Sequence, residues 1–265
     1  MHKILFLNDL SDQAPQAFHY AFALASRYQA ILAQVCCNPQ MELPLHRGPE
    51  RSKHLREALL SFSKTHTPNT SAMVSQDFLE SWLEDANDIN ELASEIMADM
   101  VVLPESAPRT ALLAKQLVRK SPLPVLLIPS GAVYSGFDRM VFSTSFHFND
   151  LMALNLLSRM GKLFHSKVDI IHVSEGEFER QPAAEKLGAL AEVYSANPMF
   201  SFQLLSGDSP RQVILQYLKD HSAQLLAMTT HKRSGWSAFL ESSTSEFMVR
   251  QSPCPILIIK DMEEI

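Results

Sequence analysis

The side chains best suited to ligand chemistry lie in the stretch MTTHKRSGWSAFLESSTSEFMVRQSPCPILIIKD at 228–261. Its pattern of apolar and polar residues predicts a strand, a polar loop, a helix and a second strand. A loop that leads into a helix N-terminus often binds phosphate, because backbone N–H groups and the helix dipole face the anion there. Glycines normally allow the close approach, and the loop has one glycine, Gly235. A phosphate would therefore depend on hydroxyl groups and on the charges of Lys232 and Arg233.

Other patterns typical of catalysis or metal binding are absent from the sequence. The ten histidines are dispersed, and no CxxC, HExxH or His-x3-His spacing occurs. We expect His172 to be half-buried in a strand, while His231 lies in the polar loop, where it could contact a ligand. The segment GWSAF at 235–239 resembles a nucleophile elbow but has Phe239 where the second glycine belongs. We therefore predict no catalytic residue and no metal site.

Composition and charge narrow the class of protein. The chain has 265 residues, of which 46% are hydrophobic and 20% charged, as is usual for a globular protein. The net charge is −6 and the 23 basic residues are scattered, which argues against a surface that binds nucleic acid. No apolar run approaches the ~18 residues of a membrane span, and the N-terminus lacks a signal-peptide pattern. Three cysteines cannot form a disulfide framework, so we expect a cytoplasmic protein. From the charge pattern and the lack of a membrane span, we expect no nucleic-acid partner and no membrane partner.

The sequence contains an internal repeat. LVRKSPLPVLLIPS at 117–130 matches MVRQSPCPILIIKD at 248–261 in seven of fourteen positions, around two prolines. The starts of the two copies also correspond, with HKILFLND at 2–9 aligned to DRMVFSTS at 138–145. A repeat of this size indicates a duplicated domain and excludes a solenoid unit. We predict one domain at 1–129, a Gly/Ser/Pro-rich linker at 130–137 and a second domain at 138–265.

Each predicted domain alternates short apolar strands with helices, which requires a parallel sheet covered on both faces. In the second domain the helix before the third strand is predicted at 181–194, and Pro210 suits the first turn of the next helix. In the first domain, two runs within 70–85 compete for the third strand. We favour FLESWLE at 78–84, because DANDINELASEIMAD at 85–99 then follows it as a helix.

The sequence resembles the universal stress protein family twice over nearly its whole length, although 37–80 matches poorly. The resemblance rests on KILFLNDLSDQAPQAFHYAFALA and on LLSGDSPRQVILQYLKDHSAQLLAMTTHKRSG followed by a helix and SPCPILIIK. It implies two doubly wound, five-stranded α/β domains of the Rossmann-like, adenine-nucleotide hydrolase-like type. It also implies a pseudo-twofold pair in which the last strands, at 123–128 and 254–260, are adjacent and antiparallel. Whether two chains then form a homodimer is left open.

The resemblance also implies the position of a nucleotide site. Family members that bind ATP have Gly-x-x-Gly, nine residues, and then Gly-Ser after the fourth strand. That pattern places Thr229, Lys232 and Ser242 at the glycine positions, so all three glycines are missing here. The family's Asp at the end of the first strand is Ser145 in the second domain. The full set of candidate nucleotide-binding residues is Asp9, Ser143, Ser145, Val173, Met228, Thr229, Lys232, Ser242, Ser243 and Ser245.

The first domain departs from the family pattern in a different way. It keeps the Asp, as Asp9, but with Ser11 beside it this carboxylate equally suits a turn at a helix start. Its loop is shorter, since 14 positions separate Pro104 from Val118 whereas 20 separate Thr229 from Val249. The segment PESAPRTA has no glycine, and Glu105 would repel a polyphosphate.

Three functions remain open from the sequence, and the last of them is a purely structural scaffold in which neither crevice is open at the carboxyl ends of the strands. The first is a non-catalytic regulatory or protective protein of the stress response, with a degenerate nucleotide site and a protein or small-molecule partner. The alternative is an ATP- or AMP-binding member of the family that uses the second domain and has slow ATPase activity. No firm cofactor is predicted, and ATP in the second domain is the candidate to test.

Overall fold

The computed structural model describes residues 1–37, 49–81, 83, 85–105, 108–147, 150–230 and 251–260. The chain divides into two units, Met1–Tyr134 and Ser135–Ile265. The three cysteines are buried and none forms a disulfide.

The first unit has a five-stranded parallel sheet in the order β3-β2-β1-β4-β5. Four of its strands are almost entirely buried and largely apolar, as expected where helices cover both faces of a parallel sheet, whereas the edge strand QDFL at 76–79 is partly polar and less buried. The strands are β1 (Lys3–Asn8), β2 (Ile31–Cys36), β3 (Gln76–Leu79), β4 (Met100–Glu105) and β5 (Val125–Pro129). The helices are α1 (Ala14–Tyr28), α2 (Pro49–His66), α3 (Ala86–Glu95) and α4 (Pro108–Lys120).

The second unit repeats this plan in the order β8-β7-β6-β9-β10, again with parallel pairing. The predicted fold class, a doubly wound α/β sheet in each half of the chain, is confirmed. The helix predicted at about 237–250 lies outside the described residues. The strands are β6 (Arg139–Ser143), β7 (Lys167–Ser174), β8 (Phe200–Ser206), β9 (Leu225–Thr230) and β10 (Ile256–Lys260). The described helices are α5 (Asp150–Phe164), α6 (Glu177–Val193) and α7 (Pro210–Asp220).

The third strand of the first unit lies earlier than predicted. It is Gln76–Leu79, and its pairing with β2 runs from Leu32 with Gln76 to Val35 with Leu79. Because β2 ends at Cys36, one residue after the partner of Leu79, it offers β3 little further backbone with which to pair. Asp85 then starts α3 with a capping box, its carboxylate accepting the N–H groups of Asn87 and Asp88.

Helix α6 also begins earlier than predicted, at Glu177 instead of 181. The prediction placed Pro182 in the first turn, where proline is favourable, whereas Pro182 lies inside the helix. Gly176 precedes the helix with a φ of 96°, a left-handed conformation that glycine adopts without the steric cost of a Cβ.

A buried polar network joins three strands of the second unit near their amino ends. The Asp169 carboxylate accepts a hydrogen bond from Arg139 Nε at 2.8 Å and another from Ser201 Oγ at 2.6 Å. The Tyr217 ring of α7 is buried in the same unit and stacks on His221 at a centroid distance of 3.9 Å. Burial, and after it the negative charge of Asp169, raise the pKa of Tyr217 to about 12.

The raised pKa of Tyr217 predicts a loss of stability at alkaline pH. The folded protein holds the phenol proton more tightly than the unfolded chain does. The resulting stabilisation is therefore complete below a pH of about 10 and is lost as the pH rises towards about 12. We expect the free energy of unfolding of Tyr217→Phe to fall less steeply across this window than that of the native chain. Denaturant titrations at about pH 9 and about pH 11 measure the difference, and equal slopes would contradict the assignment.

Candidate functional site

The order of the strands places a crevice in each unit where the direction of strand addition reverses. In open parallel sheets, ligands bind in this crevice, at the carboxyl ends of the strands. In the second unit it lies between the ends of β6 and β9, and in the first between the ends of β1 and β4. The described candidates of the second unit all lie at this edge, namely Ser143, Ser145, Val173, Met228 and Thr229.

Most of these candidates offer little side-chain surface to a ligand. Ser143 and Met228 are register partners across β6 and β9, and both are buried. Val173 and Thr229 are also buried, while Ser145 is half-buried. The remaining candidates, Lys232, Ser242, Ser243 and Ser245, lie outside the described residues, as does His231.

The most connected side chain at this edge is Asp150, the first residue of α5, which is 3% exposed. Its Oδ2 accepts hydrogen bonds from Thr144 Oγ1, at 2.5 Å, and from the Ser145 N–H, at 3.2 Å. Its Oδ1 accepts a hydrogen bond from Thr229 Oγ1 at 2.6 Å. One buried carboxylate therefore ties the end of β6 and the end of β9 to the start of α5.

This arrangement changes what the crevice can bind. A helix N-terminus favours negative charge, and α5 receives that charge from its own Asp150. The hydroxyl of Thr229, at the first glycine position of the family pattern, donates to the same carboxylate. An incoming phosphate would meet the Asp150 carboxylate there, and like charges at short range in a poorly solvated site repel strongly.

The first unit places its carboxylate differently. Ala14 occupies the position of Asp150, and Asp9 that of Ser145, at the offset of 136 that relates the first strands of the two copies. Asp9 is buried, and its Oδ1 accepts hydrogen bonds from the N–H of Ser11, at 3.1 Å, and from Ser11 Oγ, at 2.7 Å. These contacts hold the turn that precedes α1, which is the structural role that the sequence allowed for Asp9.

The strands β1 and β6 end in the same kind of turn. Asn8 Oδ1 accepts the N–H of Leu10 at 2.9 Å, and Thr144 Oγ1 accepts the N–H of Phe146 at 3.0 Å. Leu10 and Phe146 have φ values of 53° and 59°. Such values are uncommon for residues other than glycine, and the two turns send these side chains in corresponding directions.

Asp150 and Phe146 lie at this edge but were not predicted as site residues. The alignment of the two copies contains the signal for Asp150, because the position of Ala14 in the first copy is held by an Asp in the second. Among the described residues, no three His, Cys, Asp or Glu side chains come together as a metal site. No helix in the described part of the chain combines the length and the apolar composition needed to cross a membrane.

The chain matches a known protein family and several solved structures. A family model described as "Universal stress protein family" matches residues 1–129 and 170–260. The stretch between the two matches contains Thr144, Ser145 and Asp150. No curated protein matches the sequence significantly.

The solved structures share the fold at low sequence identity. A universal stress protein from Archaeoglobus fulgidus is 19% identical, with a TM-score of 0.75 over 97% of this chain and 96% of its own. A protein from Pseudomonas aeruginosa whose name assigns it to the same family is 14% identical, with a TM-score of 0.68 over 98% and 93%. A universal stress protein in complex with cAMP matches 48% of this chain and 98% of its own at 17% identity and a TM-score of 0.39. At that TM-score the likeness says nothing about the ligands of this chain.

Proposed function

This chain belongs to the universal stress protein family, and on that premise we propose that it is a non-catalytic regulatory or protective protein of the stress response with closed nucleotide sites. It acts through a protein or small-molecule partner in the cytoplasm. Its two domains pair through their last strands, at 123–128 and 254–260.

The observation that carries this proposal is the hydrogen bonding of Asp150. Its two carboxylate oxygens accept the hydroxyl groups of Thr144 and Thr229 and the N–H of Ser145. Those are the groups that would otherwise be available to a phosphate at the ends of β6 and β9. The chain also contains none of the three glycines of the family's phosphate loop.

The same residues support a non-catalytic role. Among the described residues, Asp150 is the carboxylate that lies at the ends of both β6 and β9, and its oxygens are already acceptors of three hydrogen bonds. A general base needs to reach the proton that it removes, and a buried carboxylate in such a network is a structural anchor. Asp9, its nearest equivalent in the first crevice, is held by Ser11 in a turn.

The alternative is an ATP- or AMP-binding protein with slow ATPase activity in the second domain. The observation that favours it is the number of hydroxyl and basic side chains in the 229–245 segment, including Lys232 and Ser243. Hydroxyl donors and an ammonium group can bind phosphate oxygens where glycines are missing, although each added Cβ restricts the backbone.

The two functions are separated by calorimetric titration of ATP and AMP, each with Mg²⁺, into protein shown by absorbance to be free of nucleotide. We expect no binding up to about 1 mM, which corresponds to a binding free energy weaker than about −4 kcal/mol. Micromolar binding that is lost in Ser243→Ala and kept in Ser195→Ala, a variant of an exposed serine after α6, would establish the alternative.

A further inference from the structure

The edge strand of the second unit, β8, is built differently from β3, the edge strand of the first. Among the described strands, β8 pairs with β7 alone. β3 has four residues, and one of them, Asp77, is charged. β8 has seven residues, FSFQLLS, and none of them is charged. Short length and charged side chains are common means by which proteins prevent another chain from pairing with a sheet edge. Since β8 has neither, its edge can accept a further strand.

The main chain of β8 directs alternate peptide groups away from the sheet. At one end the Val168 N–H of β7 donates to the Met199 carbonyl at 2.8 Å. At the other end the Gly207 N–H donates to the Ser174 carbonyl of β7 at 3.3 Å. The odd-numbered residues of this segment therefore face β7, and the residues between them direct both backbone groups to the opposite side. The outward residues within β8 that can pair with a further strand are Phe202, Leu204 and Ser206.

A groove of about 450 Å³ lies beside this edge, between β8 and α7. It is lined by Leu205, Gln212, Val213, Gln216, Tyr217 and Asp220. The less exposed members of the lining are apolar or aromatic, whereas the exposed members are spaced one turn apart along α7 and end at Asp220. The Gln216 side-chain amide donates to the Asp220 carboxylate at 2.7 Å and orients it. From Gln212 to Asp220 the helix rises about 12 Å, which is the length of about four residues of extended chain.

We propose that β8 and this groove bind an extended segment of a partner protein, which pairs with β8 as a further strand. Main-chain hydrogen bonds to the outward residues of β8 provide affinity, and alternate apolar side chains of the segment fill the groove. Asp220 is the charged residue of the lining, so the segment carries a Lys or Arg at the end beside it. The inference goes beyond the proposed function, because it holds whether or not the crevice binds a nucleotide.

An isolated strand fits this edge better than a second copy of the chain does. Helices α6 and α7 both pack against β8. A second β8 would bring two more helices to the same edge, where they would compete for space with the first pair. An isolated extended segment brings only its side chains, and the groove has the length to hold them.

The test is a titration, followed by NMR, of the peptide acetyl-Lys-Val-Thr-Val-Thr-Val-Lys-amide into the native chain, Leu204→Pro and Leu204→Ala. We expect the native chain to bind the peptide with a Kd below about 1 mM and with shifts of the β8 amide signals. Leu204→Pro should weaken binding by at least about tenfold, because proline removes an outward N–H and is tolerated on an edge strand. Leu204→Ala is the matched control, since it shortens the same side chain, keeps the N–H and should keep the affinity.

The charge of Asp220 gives a second readout. A peptide with Glu in place of both Lys residues should bind the native chain more weakly, and Asp220→Lys should reverse this preference. No binding to the native chain, equal affinities in Leu204→Pro and Leu204→Ala, or an unchanged preference in Asp220→Lys would overturn the proposal. A dimer of the native chain that Leu204→Pro dissociates would also overturn it, because β8 would then pair with a second copy.

A chemical variant of the peptide replaces Leu204→Pro if that variant does not fold. The native chain is then titrated with the peptide N-methylated at its valines or at its threonines. Because alternate amides of an added strand face β8, one of the two methylated peptides should lose affinity and the other should keep it. Equal affinities of the two methylated peptides would overturn the proposal.

Discussion

Asp169→Ala is expected to lower the free energy of unfolding of the second unit by about 3 kcal/mol, the lower end for a broken buried ion pair. Asp169 is 4% exposed at its side chain and accepts hydrogen bonds from Arg139 and Ser201. Alanine removes the buried acceptor of both, so the half-buried guanidinium and hydroxyl each lose a hydrogen bond. The estimate stays at the lower end because the Arg139 side chain is 38% exposed and water screens its charge.

The measurement separates the two units by native-state hydrogen exchange. The backbone amides of β6 and β7 report the free energy of unfolding of the second unit, and those of β1 and β2 report that of the first. The matched control is Asp77→Ala, which removes an ion pair of 3.7 Å to Lys3 in which the Asp77 side chain is 49% exposed. It should cost under about 1 kcal/mol. A loss in Asp169→Ala no larger than in Asp77→Ala would contradict the importance assigned to the buried network.

The sequence predicted the architecture well because the strands are apolar on both faces. Segments such as ILFL at 4–7 and ILII at 256–259 have the continuous apolar pattern of a buried parallel strand, and the repeat between the two copies confirms the order. The third strand was placed too late because it is short and partly polar, QDFL, and the overlapping run FLESWLE was preferred for the helix pattern that follows it. Its limits are set by pairing with β2, a contact about 44 residues away in sequence, which local pattern does not contain.

The candidate site was predicted less completely, and for a related reason. The family pattern located Ser145 and Thr229 and showed which groups had been lost there. It did not reveal that Asp150 lies between them, because the hydrogen bond from Thr229 to Asp150 spans 79 residues. The exposure and ring contact of Phe146 likewise depend on the turn after β6, which positions its side chain over His172.

The second large effect is expected from Asp150→Ala, which should destabilise the second unit by about 2 kcal/mol. Alanine removes the shared acceptor of the hydroxyl groups of Thr144 and Thr229 and of the N–H of Ser145. Asp150→Asn should cost under about 1 kcal/mol. With its oxygen towards Thr144 and Ser145, the amide can donate to Thr229 Oγ1, whose hydroxyl hydrogen is free to rotate away. Hydrogen exchange of the β6 and β7 amides distinguishes the two variants, and equal losses would contradict the proposed exchange of donor and acceptor.

Asp150→Asn also separates the two causes proposed for closing the crevice, which are the charge of Asp150 and the missing glycines. Asp150→Asn keeps the fold and removes the negative charge that faces an incoming phosphate. If the charge is the main obstacle, the affinity for ATP with Mg²⁺ should rise by about tenfold, or about 1.4 kcal/mol, relative to the native chain. Titration followed by NMR into the millimolar range measures such weak binding, and Asp220→Asn, at the end of α7, is the control for a general change in net charge. No gain in Asp150→Asn would assign the closure to the missing glycines, because side chains at those positions block the backbone from the phosphate whatever the charge of residue 150.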